Sequence, residues 1–283
     1  MLMAANAPML AKRGMEDGDP VGGYLPSGTV AGVIDDRPSC QELIDRLALL
    51  EIVPGNILDL GCGAGIEADM LSRRYPKACV IGVDICPARF QQDKFTRWTP
   101  VTGDAVALPL ATGIFDLVLA NLVLPWCEPV AAFHEIARVL KPGGAVVFST
   151  LGPDTLRELR AAWDLFDDYP HVHPFADMHN VGDALVQAGF SEPVVDVEML
   201  SFTYGNLVGL VDDLRAMGAT NVMKHRRRTL TGRQRWQALA NAYSPMKEDP
   251  GRLCATFEVI YAVAWAPDTL DRRPAGLRVD LPR

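Results

Sequence analysis

The sequence predicts an α/β fold: a mainly parallel sheet with helices on both faces, one antiparallel strand, and a helical lid over one edge. Three observations predict it. Strand-like runs alternate with helical patterns from Asn56 to Leu151, over about a hundred residues. The runs NILDL, CVIGVD and FDLVLANL are almost continuously apolar, as befits strands covered on both faces. The strongly β-prone run ATFEVIYAVAW (255–265) follows a polar, basic stretch and is the candidate for the one reversed strand.

The elements follow in order. Ser39 stands where a cap belongs before QELIDRLALLEI, whose Leu43, Ile44, Leu47 and Leu50 recur at helical spacing until Pro54-Gly55. Strands are expected at 56–60, 79–84, 98–104, 115–122 and 145–151. A helix follows Gly65, and Pro87 stands near the start of the next. EPVAAFHEIARVL is helical, with KPGG as its stop signal. Beyond Leu151, DTLRELRAAWDLF, MHNVGDALVQAGF and GNLVGLVDDLRAMGA read as helices and PVVDVEMLSFTY (193–204) as a strand. The domain therefore runs from 39 to 266, with lid insertions at about 152–190 and 205–250. The Gly/Pro-rich residues 1–38 read as a mobile segment and 267–283 as a loose tail.

Composition limits the functions. Hydrophobic residues make up 49% of the 283-residue chain, enough for a packed core. Lys+Arg number 27 against 35 Asp+Glu, a net charge of −8, which argues against a general nucleic-acid binder. No apolar run approaches the roughly 20 residues that span a bilayer, so no membrane partner is expected. The opening MLMAANAPMLAKRG has no positive region leading into an apolar stretch, so no secretory signal is predicted. The six cysteines form no C-x-x-C pair and no zinc spacing; they read as reduced thiols of a cytoplasmic protein.

The chemistry is concentrated in ILDLGCGAG (57–65). Gly61, Gly63 and Gly65 follow an apolar run at alternate positions, where bare backbone N–H groups can approach a ligand at the mouth of a helix. A tight strand-to-helix turn without a ligand would use the same residues. A dinucleotide site prefers G-x-G-x-x-G, and here Ile66 occupies the third glycine's place. The acid Asp59, two residues before Gly61, completes a pattern that resembles the first motif of class I S-adenosylmethionine-dependent methyltransferases. The resemblance implies a Rossmann-like sheet with S-adenosyl-L-methionine as cofactor, and Asp59 at the cofactor's amino-acid end. Asp84 ends the second strand, where a carboxylate suits two ribose hydroxyls, although an Asp there is often only a cap. The resemblance also puts Asp104, followed by the small Ala105, near the adenine. Asn121 closes the fourth strand on the same edge, the ligand edge of open α/β sheets.

The segment after the fourth strand, NLVLPW, lacks the [DN]-P-P-[FY] clamp of amide and nucleobase N-methyltransferases. The C-terminal half is more specific. FSTLGPDTLRELRAAW, HVHPFADMHNVGDALVQAGF, LRAMGATN and ATFEVIYAVAW together resemble the malonyl-[acyl-carrier protein] O-methyltransferases of biotin synthesis. The resemblance implies methyl esterification of the free carboxylate of a malonyl thioester on acyl carrier protein. It departs from that family's pattern at Pro125, where Gln is usual, and upstream of Gln41, where no tyrosine is near. Other acceptors, a small acid or a quinone-like molecule, and a cofactor-binding partner without turnover remain open readings of the same residues.

Such a transfer needs no catalytic base, because a carboxylate with a pKa near 4 is already ionised at neutral pH. Alignment is the main requirement. Arg157 and Arg160 follow the fifth strand one turn apart and suit a carboxylate, or are solvated surface arginines. His171, His173 and His179 cluster without a metal-ligand partner; His173 is the candidate for hydrogen bonding to substrate, and no metal is expected. Trp126 is a candidate pocket wall or core residue. Lys224, Arg226, Arg227, Arg228, Arg233 and Arg235 concentrate positive charge in an acidic chain, which fits an acidic carrier protein or a solvated loop better than RNA.

Overall fold

A computed structural model of the protein describes residues 38–90, 97–216, 219–243 and 251–267. The expectations for 1–37, for the helix after Pro87 beyond Phe90, and for the tail from 268 lie outside the described residues. Seven strands form one sheet in the order β3-β2-β1-β4-β5-β7-β6. They are β1 (Asn56–Leu60), β2 (Cys79–Asp84), β3 (Thr99–Thr102), β4 (Phe115–Ala120), β5 (Leu140–Leu151), β6 (Ser191–Tyr204) and β7 (Leu253–Trp265). The first five run parallel; β7 is antiparallel to both β5 and β6, so ATFEVIYAVAW is the reversed strand.

The helices are α1 (Pro38–Arg46), α2 (Ile66–Arg74), α3 (Pro129–Val139), α4 (Arg157–Asp164), α5 (Met178–Gln187), α6 (Leu207–Ala216) and α7 (Arg233–Ala242). Alternation along the strands sorts the apolar residues onto two faces. Leu58, Val118, Val146 and Phe148 pack with Phe133 and Ile136 of α3 and Leu185 of α5. Ile57, Leu117, Leu119 and Val147 pack with Leu43 and Leu47 on one side and Ala68 and Leu71 of α2. This is a three-layer α/β/α arrangement.

A second core stands apart from the sheet layers. Leu159 and Trp163 of α4, Leu210 and Leu214 of α6, and Leu239 of α7 meet Tyr204, Tyr243 and Phe257. The two stretches expected as lid insertions thus share one apolar interior. The first is divided, however: α4 joins this core, whereas α5 lies on the main sheet beside α3.

Three local expectations differ in detail. Helix α1 starts at Pro38, with Ser39 already inside it, and gives way at Leu47 to a 3₁₀ turn that ends at left-handed Glu51 (φ 47°). KPGG does not separate helix from strand: α3 passes directly into β5 at Leu140, and Lys141–Gly144 form the irregular start of that strand. Helix α7 falls in the polar stretch where no element is expected; its buried Leu239 and half-buried Trp236 face the second core.

The sequence GPDTL is tied to the reversed strand. Gly152 N–H and Leu156 N–H donate to the carbonyls of Glu258 (2.8 Å) and Thr256 (2.6 Å). Asp154 N–H donates to Glu258 Oε2 (2.7 Å), and Thr256 N–H donates to Glu158 Oε2 of α4 (3.0 Å). A Cβ on Gly152 would lie 2.3 Å from Glu258 Cδ, so a side chain there would push Glu258 out of its place against the loop. Glu258→Ala should therefore cost about 1–3 kcal/mol in denaturant unfolding. Lys141→Ala removes a half-exposed ion pair to Asp116 and should cost less than about 1 kcal/mol. Equal losses in the two variants would overturn the assignment of GPDTL as a docking loop.

Candidate functional site

The C-terminal ends of β1, β2 and β4 form a rim. Asp59 of β1 lies in register between Gly82 of β2 and Leu119 of β4. After Leu60 the chain turns sharply into α2. Gly61 and Cys62 donate their N–H groups to Val83 O (2.7 and 3.0 Å), and Gly65 N–H closes the turn on Cys62 O (2.7 Å). Gly61, Gly63 and Gly65 have φ of 78°, 51° and 83°, the left-handed region that disfavours side chains.

The three glycines are bare for different reasons. A Cβ on Gly61 would lie 2.6 Å from Val123 Cβ, and one on Gly65 2.0 Å from Trp98 Cζ2. Those two let the protein pack against itself. At Gly63 an added Cβ would meet nothing closer than 3.9 Å, so this residue alone leaves its side open. Gly65→Ala should destabilise by about 2–5 kcal/mol, combining left-handed strain with overpacking. Gly63→Ala should cost only about 1–2 kcal/mol. Thermal unfolding of the two variants checks the contrast.

Asp59 is 1% exposed, and its Oδ2 has no hydrogen-bond partner. Burial holds its pKa well above the usual carboxylate range, and the charges of Glu67 and Asp84 push in the same direction. The buried Cys62 thiol is likewise driven up, by burial and then by Asp59, Asp84 and Glu67. Both shifts come first from burial, and the neighbouring acids add to each. Asp84 Oδ2 accepts from Gly63 N–H (3.1 Å) and Oδ1 from Cys86 N–H (2.8 Å). These bonds hold the carboxylate at the strand end, with acceptor capacity left over.

Asn121 reaches the rim, but its side chain is engaged with the protein. Its Nδ2 donates to Glu67 Oε1 (2.8 Å), and its Oδ1 accepts from Ser149 Oγ (2.6 Å). Ser149 Oγ in turn accepts from Leu122 N–H (3.0 Å), which follows Asn121 with a left-handed φ of 49°. Sequence reasoning missed Glu67 and Ser149. Asp104 caps its own turn, with Oδ1 accepting from Val106 N–H (3.1 Å), and Ala105 is buried beside it.

The acceptor-side candidates separate. Arg160 donates to the carbonyls of Pro153 (2.9 Å) and Thr155 (3.4 Å), so it braces the docking loop. Arg157 is exposed and flanked by Asp154 and Glu158. Trp126 lies in the turn Leu124–Trp126 and is 37% exposed, so it is not a core residue. His173 has a buried Nε2 without a partner, and burial lowers its pKa, which keeps the ring neutral. His171 is spent elsewhere: it stacks on Trp163 at 3.8 Å and bonds Asp167 Oδ1 at 2.8 Å.

The basic residues also separate. Arg235 pairs with Asp167 and donates to Phe166 O, which pins α7 to α4. Arg226 donates to the carbonyls of Val222 and Met223. Lys224, Arg228 and Arg233 are exposed. Among the described residues no group of three His, Cys, Asp or Glu is arranged to hold a metal ion, and no helix is long and apolar enough to cross a membrane.

The parallel sheet with its single reversed strand and glycine rim is the class I methyltransferase arrangement. The model described as "Methyltransferase domain" matches residues 58–148. Among solved structures, the YcgJ protein from Bacillus subtilis aligns with a TM-score of 0.57 at 15% identity, covering 81% of this chain and 99% of that one. The [4+2]-cyclase SpnF aligns at 0.50 and 22% identity, covering 82% and 85%. These likenesses concern the fold. Curated relatives go further. The malonyl-[acyl-carrier protein] O-methyltransferase of Gallionella capsiferriformans is 42% identical over 252 residues, 85% of this chain and 87% of its own. That of Laribacter hongkongensis is 43% identical over 251 residues, 84% of each chain. The chain belongs to the malonyl-[acyl-carrier protein] O-methyltransferase family.

Asp59 gives a stability prediction with a definite sign. Its folded pKa is raised, so the native state holds a proton that the unfolded chain releases. The corresponding stability is present at low pH and is lost as pH rises from the ordinary carboxylate range through the raised folded value. Asp59→Asn escapes that loss. Thermal denaturation of the ligand-free protein should show the variant melting above wild type at pH 8, with a gain that shrinks toward pH 5. A variant less stable than wild type at pH 8 would contradict the raised pKa.

Proposed function

We propose that the protein transfers a methyl group from S-adenosylmethionine to the free carboxylate of a malonyl thioester on acyl carrier protein, in the cytoplasm, as a step toward biotin. The observation that carries the cofactor half is the buried, unpartnered Oδ2 of Asp59 beside Glu67 and Asp84. Such a site calls for a cation. The cofactor brings an ammonium and a sulfonium. The residues fit in other respects: Gly63 leaves its side of the loop open, and Asp84 keeps spare acceptor capacity for ribose hydroxyls. Asp104 and Ala105 would flank the adenine, and Asn121 would act indirectly by holding Glu67. The acceptor half is supported by the relatives' names and by an alignment extending well beyond residues 58–148.

When bound, the cofactor supplies an electrophilic methyl. The chain's own work is to bind, orient and exclude water. The acceptor carboxylate arrives ionised, so no side chain takes a proton. His173, neutral and half-buried, orients the acceptor through its unpartnered ring nitrogen. Arg157 supplies positive charge at the approach. The core shared by α4, α6 and α7 is the lid that keeps the site dry, which favours the charge-dispersed transfer. Exposed Lys224, Arg228 and Arg233 attract the acidic carrier.

Incubation with methyl-labelled cofactor tests the reading. Label should appear as a base-labile ester on malonyl-carrier protein and not on acetyl-carrier protein. Transfer to an unrelated acid in preference to malonyl-carrier protein would overturn it, as would failure of the expressed protein to restore biotin-free growth. His173→Ala should raise KM for the malonyl substrate about tenfold, the worth of one hydrogen bond to a charged group, with cofactor affinity little changed.

A further inference from the structure

Beside the second core lies an open cleft of about 570 Å3, with residues 168–170 on one wall and 225–229 on the other. The walls are tied together: Asn221 Nδ2 donates to Pro170 O (2.7 Å). The lining carries three guanidinium groups, Arg226, Arg227 and Arg228, and the imidazole of His225. Among the described residues one acid, Asp168, lines the cleft. Its neighbour Asp167 is already held by His171, by Tyr169 N–H and by Arg235.

Two of the arginines are set in place before any ligand arrives. Arg226 Nη1 is fixed by the carbonyls of Met223 (3.0 Å) and Val222 (3.3 Å). Arg227 Nε donates to Thr229 Oγ1 (2.8 Å), which fixes the plane of its guanidinium. Its Nη1 is buried and has no partner. A buried guanidinium N–H without an acceptor is costly, and an anionic oxygen is its natural complement. A planar fork with further positive charge beside it suits a phosphate group, which offers several oxygens to adjacent donors.

We propose that this cleft binds phosphate and, resting on the acceptor reading above, that the phosphate is the phosphodiester of the pantetheine arm that carries the malonyl thioester. The chain path connects cleft and pocket. Pro170 is three residues from His173, at most about 11 Å of extended backbone. Between them, buried Val172 enters the second core, and Leu122, next to Asn121 at the rim, packs on that same core. A phosphate held at Arg227 therefore leaves the arm to run along the lid toward His173. The cleft acts on the arm; the outward Lys224 and Arg233 act on the carrier's own surface.

Two measurements test this. In methyl transfer, wild type should use malonyl-phosphopantetheine at least about tenfold better in kcat/KM than malonyl-pantetheine, which lacks only the phosphate. Arg227→Gln should bring that ratio close to one, and Arg227→Lys should restore part of it. In direct titration without turnover, phosphopantetheine should bind wild type more tightly than pantetheine, and Arg227→Gln should abolish the difference. Equal binding of the two compounds to wild type overturns the proposal. So does an Arg227→Gln effect confined to the carrier-protein substrate, which would mean that the cleft grips carrier side chains. If phosphate-dependent binding is found but no malonyl compound is methylated, the cleft assignment stands and the acceptor reading fails.

Discussion

The site is organised around acids crowded at the rim, a crowding that, after burial itself, raises the pKa of Asp59. Asp59 is buried, one of its oxygens has no partner, and Glu67 and Asp84 stand close enough to raise its pKa further. A fold selected for stability alone would give that second oxygen a donor or replace the residue. The surrounding hydrogen bonds maintain the strain instead. Ser149 orients Asn121, Asn121 donates to Glu67, and Gly63 and Cys86 hold Asp84. Each bond fixes an acid in position, and none supplies a countercharge to Asp59 Oδ2.

The second constraint is mechanical. Segments that stand apart from the sheet layers hold a shape only with an interior of their own. Here α4, α6 and α7 obtain one by pooling apolar residues from two separate insertions. Two fastenings keep that small core aligned with the rim. Thr155, Leu156 and Glu158 lock α4 to the reversed strand through Thr256 and Glu258. Arg235 and His171 converge on Asp167, whose carboxyl burial would raise but whose bond to His171, contact with Tyr169 N–H and neighbouring positive charges hold below the usual range. The specificity of the GPDTL sequence is thereby explained in part as architecture: it fastens α4 to the reversed strand.

Much of the sheet was legible because each strand carried its own signal. Near-continuous apolar runs marked β1, β2, β4 and β5, and β-branched and aromatic density marked β7. The rim acids were legible because strand ends are where such sheets bind ligands. What escaped depends on tertiary contact. Gly61 and Gly65 looked like ligand-facing glycines, yet Val123 and Trp98 occupy the space, and nothing local announces a partner tens of residues away. Glu67 is one of two acids in the first turn of α2, ordinary in sequence and significant only once Asn121 is beside it. Helix α7 was hidden because its apolar stripe is narrow and the charged residues at its start dominate the composition. Arg235 counted as one basic residue among six, although its role is internal.

The sheet by itself does not determine the chemistry, since a structure of the same fold at 22% identity is described as a [4+2]-cyclase. The distinction must come from what the rim and lid add. An amide or base methyltransferase needs a polar clamp after the fourth strand, and this chain has Leu122–Trp126 there, an apolar turn with a strained residue at its start. An acid acceptor needs no base, and none of the described side chains at the rim is arranged as a nucleophile–base pair. Under the proposed function, neutral, half-buried His173 and the exposed basic groups Lys224, Arg228 and Arg233 receive the anionic acceptor. On that reading it is these side chains, set on a common sheet, that turn a widespread fold toward the esterification of an acid.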